Sequence, residues 1–487
     1  MSSPDQAERP EGRRAFARRF SPARMQRIAV LAPADALRDA LVDVARSGSV
    51  ELDEPPDSNG APGQAALALQ RMGAHPGSAH GGAAVALPAG EPDVADLERA
   101  GRADLLAGEA QLQRYAAGAV RRRDVVAVLG WCPADQLLRL GARLDAAGAA
   151  AVPLPTPRGV DPPTLLTTRP GLSGSFSALV RTYGTVPYHD IDPTVWAGLA
   201  YVAMFGMMFG DVGHGLLLVA AAVMIRLGWI RRFPSLRPMW SFVGAAGIAA
   251  SVFGVLYGEC FGPTGLVPVV WLAPLDNPLR LLLVALAVGA VLLGVAYTVG
   301  AVNRWREGGF RLAVYAPSGI AGATVFAGAG AVLLGYMVGP RVLVAVGLLL
   351  CVAGLLQALI GLYAESGGGA AGVLQAAIGG LDLVVRLGSN LVSFARLAAF
   401  GMTHAALGWV VWRGTTALWA HSWIGAVGAV VLFAVGNAVA FALEALVAGV
   451  QALRLEFYEL FSRVFIGEGR PFRPWTVPVV EMEAAAC

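Results

Sequence analysis

The chain has 487 residues, of which 56% are hydrophobic and 15% charged, with a net charge of +3 at pH 7 and a mean hydropathy of +0.58. So apolar a composition excludes a purely soluble globular protein, and so small a net charge excludes nucleic acid as an electrostatically held partner. Every basic residue is Arg, so there is no Lys to complete a phosphate-binding G-x-x-x-x-G-K-[ST] loop, and no nucleotide site of that type is expected. The cysteines, Cys132, Cys260, Cys351 and Cys487, lack metal-ligand spacing and read as reduced and structural, so neither a metal nor a cofactor is expected.

Residues 1–24 contain RRAFARRF with no apolar run behind it, which reads as a disordered basic tail rather than a signal peptide. From Met25, the segments MQRIAVLAP, ADALRDALVDVARSG and SVELDE predict strand, helix and strand, with the helix ended at Ser47 and Gly48. A second such unit, DVVAVLGWCP, ADQLLRLGARLDAAG and AAAVPLP, starts at Asp124. The two halves predict one small, open-faced α/β domain over 25–180. Between them, 55–92 is rich in Pro, Gly and Ala and reads as a linker, in which His75 and His80 are solvated loop histidines without a carboxylate or Cys beside them. Residues 93–119 predict a short helical arm with a stripe of Leu97, Leu105, Leu112 and Tyr115.

The rest of the chain is a series of apolar runs of about 20 residues, the length that a hydrocarbon core of about 30 Å demands. The first run, 195–225, would be about 46 Å long as one helix. Its centre reads MFGDVGHG, so a tight helical hairpin is expected, with Asp211 and His214 as capping groups at its tip. The following loop carries Arg226, Arg231, Arg232 and Arg237, and a hairpin returns it to the same, cytoplasmic side as the α/β domain. Spans at 239–261, 279–301, 317–338 and 342–363 follow, and then two that each contain an arginine. The expected fold is a mainly α membrane protein with eight transmembrane helices over 181–465, two of them long and tilted at the C-terminal end. Both termini are cytoplasmic, and 466–487 is a cytoplasmic tail. The last span, 424–461, would be about 57 Å long and must tilt or project. Spans five and six are rich in Gly and Ala, which suits close helix packing.

Arg396 lies in the run beginning at Ser389, and Arg454 lies toward the end of the last span. Guanidinium stays charged under all biological conditions. Holding one near a bilayer centre costs about 2.5–3.5 kcal/mol on insertion scales, so intramembrane arginines face wet cavities, counter-charges or transported ions. Glu444, Gln451 and Arg454 sit at offsets of seven and three and share one side of their helix; Ser393, Arg396 and Phe400 share a face, with His404 two turns from Arg396. Alternative roles stand beside these. Arg454 is near enough a span end to snorkel, Glu444 can serve only as an ion-pair partner, and His404 can be a packed, hydrogen-bonded core residue. Glu259 suits either the mouth of an aqueous path or an interfacial carboxylate.

The pieces YGTVPYHDIDPT at 183–194, FGMMFGDVGHG at 205–215, VFGVLYGECFG at 252–262, SFARLAAFGMTHA at 393–405 and QALRLEFYELFSRVFIGEGRPFRPW at 451–475 resemble the membrane-embedded stator subunit of V-type and A-type rotary ATPases, called subunit a or subunit I. GWCPADQL at 130–137 extends the resemblance into the soluble part. The resemblance implies a multi-pass protein of the cell membrane that forms proton half-channels against a rotating proteolipid ring. It implies partnership with peripheral stalk subunits and, through the complex, with the central stalk and the A and B nucleotide-binding subunits. The family's essential arginine falls on Arg396 and its second on Arg454, and its polar helpers on His404, Glu444 and Gln451. A departure is the soluble part, which is shorter than the family's long coiled-coil arm. Two readings from other classes are a secondary transporter with Arg396 and Glu444 at its substrate site, and a non-transporting scaffold built on the stator fold.

Overall fold

The computed structural model describes residues 22–54, 62–73, 85–157, 159–166, 176, 180, 184–229, 234–419, 423–465 and 469–480. The expectations for the basic tail, His75, His80, Arg231, Arg232 and Cys487 fall outside these residues. The chain forms two compact units, one of Pro22–Thr167 with Gly469–Cys487 and the other containing Thr168–Glu468.

In the α/β unit, β1 (Met25–Pro33), β2 (Glu51–Leu52), β4 (Val120–Arg122), β5 (Val125–Pro133) and β6 (Ala150–Leu154) form one sheet in the order β2-β5-β1-β6, with β4 also on β5. The β1 pairings with β5 and β6 are antiparallel, so the two strand–helix–strand halves interleave at the centre of the sheet. Period-two alternation buries Ile28, Val30 and Ala32 on one face of β1. Helices α1 (Leu37–Ser47) and α5 (Leu137–Ala146) supply Leu41, Val44, Leu140 and Leu144 to the same core. Gly48 closes α1 at φ 56°, a left-handed cap that costs glycine little.

Two expectations for this unit are corrected. The linker at 55–92 contains helix α2 (Gln64–Arg71) and strand β3 (Leu87–Pro88). Alanines and leucines that look like low-complexity filler, Ala65, Ala68 and Leu69, pack with Leu97, Leu105 and Leu106 of α3 (Val94–Arg99) and α4 (Ala103–Ala117). The C-terminal segment is likewise not a tail. Its strand β7 (Val479–Val480) pairs in parallel with β3, Arg470 is ion-paired with Glu51, and Trp475 sits in the core with its indole N–H donating to Gln111 at 3.1 Å. Trp475→Ala is therefore expected to destabilise this unit by about 3–5 kcal/mol. Thermal or denaturant melting of the variant checks this, and an unchanged midpoint would return the segment to the status of a tail.

In the helical unit, α6 (Thr194–Met208) and α7 (Val212–Leu227) form the expected hairpin. They are followed by a 3-10 turn (Pro234–Met239), α8 (Trp240–Tyr257), α9 (Pro278–Tyr315), α10 (Ile320–Val338), α11 (Arg341–Glu365), α12 (Gly369–Ser393), α13 (Ala395–Trp419) and α14 (Trp423–Leu455). A π-helical turn (Glu456–Phe461) and α15 (Ser462–Val464) end the unit. Among the described residues six helical segments are long and apolar enough to cross a membrane. The two hairpin arms, of 15 and 16 residues, are shorter than that, so the expected count of eight is met only in part. The chain is a multi-pass membrane protein.

The main correction here is α12, a full helix in the stretch between two expected spans where no span is expected. It runs almost unbroken into α13, and only Phe394 separates them. Glycines let α10 and α11 approach closely, because a Cβ on Gly328 would come within 2.7 Å of the Gly347 carbonyl oxygen.

Candidate functional site

Two polar clusters lie at different depths along α13 and α14. At the first, Arg396 opens α13 just after the α12–α13 break. Phe394, fully buried, fixes that break by seating its ring against Gly289 of α9, where a Cβ would approach the ring to 2.3 Å. The Arg396 guanidinium donates through Nη2 to Glu459 Oε1 at 3.1 Å, and its Nη1 is buried with no partner among the described residues. Glu459 lies on the π-helical turn that continues α14. Arg454 itself is exposed on the last turn of α14. Glu456, three residues before Glu459, is fully buried, with neither carboxyl oxygen hydrogen-bonded to a described residue.

The second cluster is centred on His404, eight residues or about 12 Å further along α13. His404 Nδ1 is paired with Glu444 Oε2 across the α13–α14 contact. The other Glu444 oxygen is buried and unpartnered among the described residues. Gln451, two turns along α14 from Glu444 and therefore between the clusters, has a buried amide oxygen in the same condition. Five sequence-predicted residues thus fall on two facing helices. Of them, His404 and Glu444 are in direct contact, Arg396 is hydrogen-bonded to Glu459, Gln451 lies between, and Arg454 is exposed.

The hairpin tip meets the second cluster. Asp211 caps α7 by accepting from the His214 N–H at 2.9 Å, and it also accepts from the Phe261 and Gly262 N–H groups at 3.0 and 2.9 Å. Asp211 thereby ties the hairpin to the loop after α8, where Val212 N–H donates to the Glu259 carbonyl at 2.9 Å. Gly254 leaves the room for this, since a Cβ there would stand 2.3 Å from Val212 N. His214 turns inward, with its ring 5.6 Å from that of His404. Glu259 is also buried. Asp211→Ala would strand three donors at a buried junction at about 1–3 kcal/mol each, so a loss of roughly 3 kcal/mol or more is expected in the melting of the detergent-solubilised protein. Wild-type stability in that variant would show that water replaces the carboxylate.

Glu459 and Glu456 are not among the residues that the sequence singles out. Their signal is the spacing LRLEFYE, which places two carboxylates one turn apart directly after Arg454, where an amphipathic reading treats them as solvated.

A family model described as the V-type ATPase 116kDa subunit family matches residues 117–230. The chain is similar to the A-type ATP synthase subunit I of Pyrococcus horikoshii, 26% identical over 391 residues that make up 76% of this chain and 57% of that protein. It is similar to the A-type ATP synthase subunit I of Halobacterium salinarum, 29% identical over 388 residues, 65% of this chain and 52% of the relative. The V-type ATP synthase subunit I 2 of Treponema pallidum is 30% identical over 148 residues, 28% of this chain and 33% of the relative. The chain spans about half the length of the A-type relatives it matches.

Proposed function

We propose that this chain, which is similar to the V-type ATPase 116kDa subunit family over residues 117–230 and to A-type ATP synthase subunits I, is the membrane stator of a rotary ATPase, carrying protons to and from a rotating proteolipid ring. The observation that carries the reading is the pair of stacked clusters, a permanent cation at one level and a His–Glu pair about 12 Å away at the other. In this reading the two short hairpin arms complete eight spans, with both termini in the cytoplasm.

A ring carboxylate crosses lipid neutral and must lose its proton at the stator, since burial in apolar surroundings penalises the charged form whereas a nearby fixed cation favours it. Arg396 supplies that cation. Between encounters Glu459 holds the guanidinium, and an arriving ring carboxylate exchanges places with it. Arg454, on the neighbouring helix, shares the charge or orients the next ring site. Glu444 and His404 exchange protons with water on one side of this barrier, with Gln451 as the polar step between the levels. Because Arg396 repels protons, the two half-paths communicate only through ring rotation.

Co-purification tests the assignment. A stator brings with it a proteolipid ring, stalk subunits and nucleotide-binding subunits, whereas a solitary transporter or a retired scaffold purifies without a ring.

A further inference from the structure

The hairpin tip holds a donor set that the proposed proton path leaves partly idle. His214 is only 2% exposed, and its ring nitrogens make no close hydrogen bond among the described residues, its Nδ1 standing 3.9 Å from Asp211 Oδ1 with Asn437 also beside the ring. Its ring is held in place by Phe261 and Phe441, with centroids at 5.3 and 5.6 Å, and it faces His404. One donor atom each from Asp211, His214 and His404 lies within 4.8 Å of the other two. All three residues are buried, so their side chains are already confined.

The chemistry of the set is selective. Two imidazoles and one carboxylate suit Zn²⁺ and similar borderline ions, whereas Mg²⁺ and Ca²⁺ prefer oxygen alone. The outer contacts also match what such an ion needs. Glu444 bonds Nδ1 of His404, the carboxylate–imidazole arrangement that orients a metal-bound histidine and leaves the other nitrogen for the ion. Asp211 is fixed by three backbone donors. Asp211 and Glu444 together offset the two positive charges of the ion. Around tetrahedral Zn²⁺, with bonds of about 2.0–2.2 Å, ligand atoms stand roughly 3.5 Å apart, so the present set needs to contract by about 1 Å.

We propose that Asp211, His214 and His404 form a binding site for a divalent transition-metal ion of the Zn²⁺ type. The site stands on geometry alone. Its consequence for transport, that the ion occupies the imidazole of His404 and blocks the path, rests on the stator reading.

The test uses the purified full-length chain in detergent, with Zn²⁺ by equilibrium dialysis and Co²⁺ by visible absorption. One saturable ion per chain is expected, with affinity weakened at least 100-fold in His214→Ala and in His404→Ala, but kept in His189→Ala. Because Asp211→Ala is expected to be unstable, His214→Gln serves as a second variant, and metal-free melting curves verify that each variant is folded. Absence of a saturable site, or undiminished binding in folded His214→Ala and His404→Ala, overturns the proposal. A separate arm adds Zn²⁺ to the intact complex during ATP-driven proton transport, where inhibition relieved by His214→Gln is expected. Binding without inhibition would uphold the site and overturn the place given to His404 in the path.

Discussion

Membranes carrying Arg396→Ala or Arg396→Lys are expected to lose ATP-driven proton transport by a factor on the order of 100 to 1,000. The physical ground is the cost of leaving a buried carboxylate without its cation, about 3–5 kcal/mol when one partner of such a pair is removed. In this chain the stranded groups are Glu459, whose Oε1 accepts from Arg396 at 3.1 Å, and the ring carboxylate that the stator reading places opposite. Lysine does not rescue. Its ammonium is a point charge that gives up its proton when desolvated, and it lacks the planar fork that bridges two oxygens. The complex should still assemble, because Phe394 and Gly289, not Arg396, fix the helix break. Acidification of inverted vesicles, quenched by an uncoupler, measures the effect. Pumping at the wild-type rate by an assembled Arg396→Lys complex would refute the role given to this residue.

The second large effect concerns the other level. Glu444→Gln preserves shape and hydrogen bonding to His404 but cannot take up a proton, so the rate of proton transport is expected to fall about 100-fold, within the range for loss of a positioned acid–base group. Glu444→Asp should retain part of the rate, since it keeps a carboxylate but shortens its reach toward His404. A purely structural ion pair predicts the reverse order, with the isosteric Gln tolerated better than the shorter Asp. Comparing the two variants in passive proton conduction through the membrane sector, alongside their melting temperatures, separates the possibilities.

Much of the fold could be read from the residues because each signal is local. Apolar runs report burial in lipid, the MFGDVGHG break reports a hairpin since a single helix there would overshoot the bilayer, and Ser47 and Gly48 end a helix through backbone conformation alone. Asp211 emerged as a tip capping group for the same reason, its N-cap bond reaching only three residues ahead. What local signals do not carry depends on distant contacts. Helix α2 and strand β3 look like linker until Leu97, Leu105 and the C-terminal segment pack on them. Helix α12 lies in a stretch where Gly379, Gly380, Asp382 and Arg386 interrupt the apolar run, so hydropathy alone does not extend the Arg396 helix backward through it.

The sequence by itself determined the class of molecule, the hairpin, the two arginines and the polar residues that share a face with each, because composition and helical spacing act over a few turns. Tertiary structure alone decided whom those residues meet. Glu459 reaches Arg396 from 63 positions away through a π-helical turn, and His214 comes to lie against His404 only because Asp211 binds the loop after α8. Such meetings depend on how helices pack against one another, and side-chain spacing along one helix carries no information about its neighbour's register.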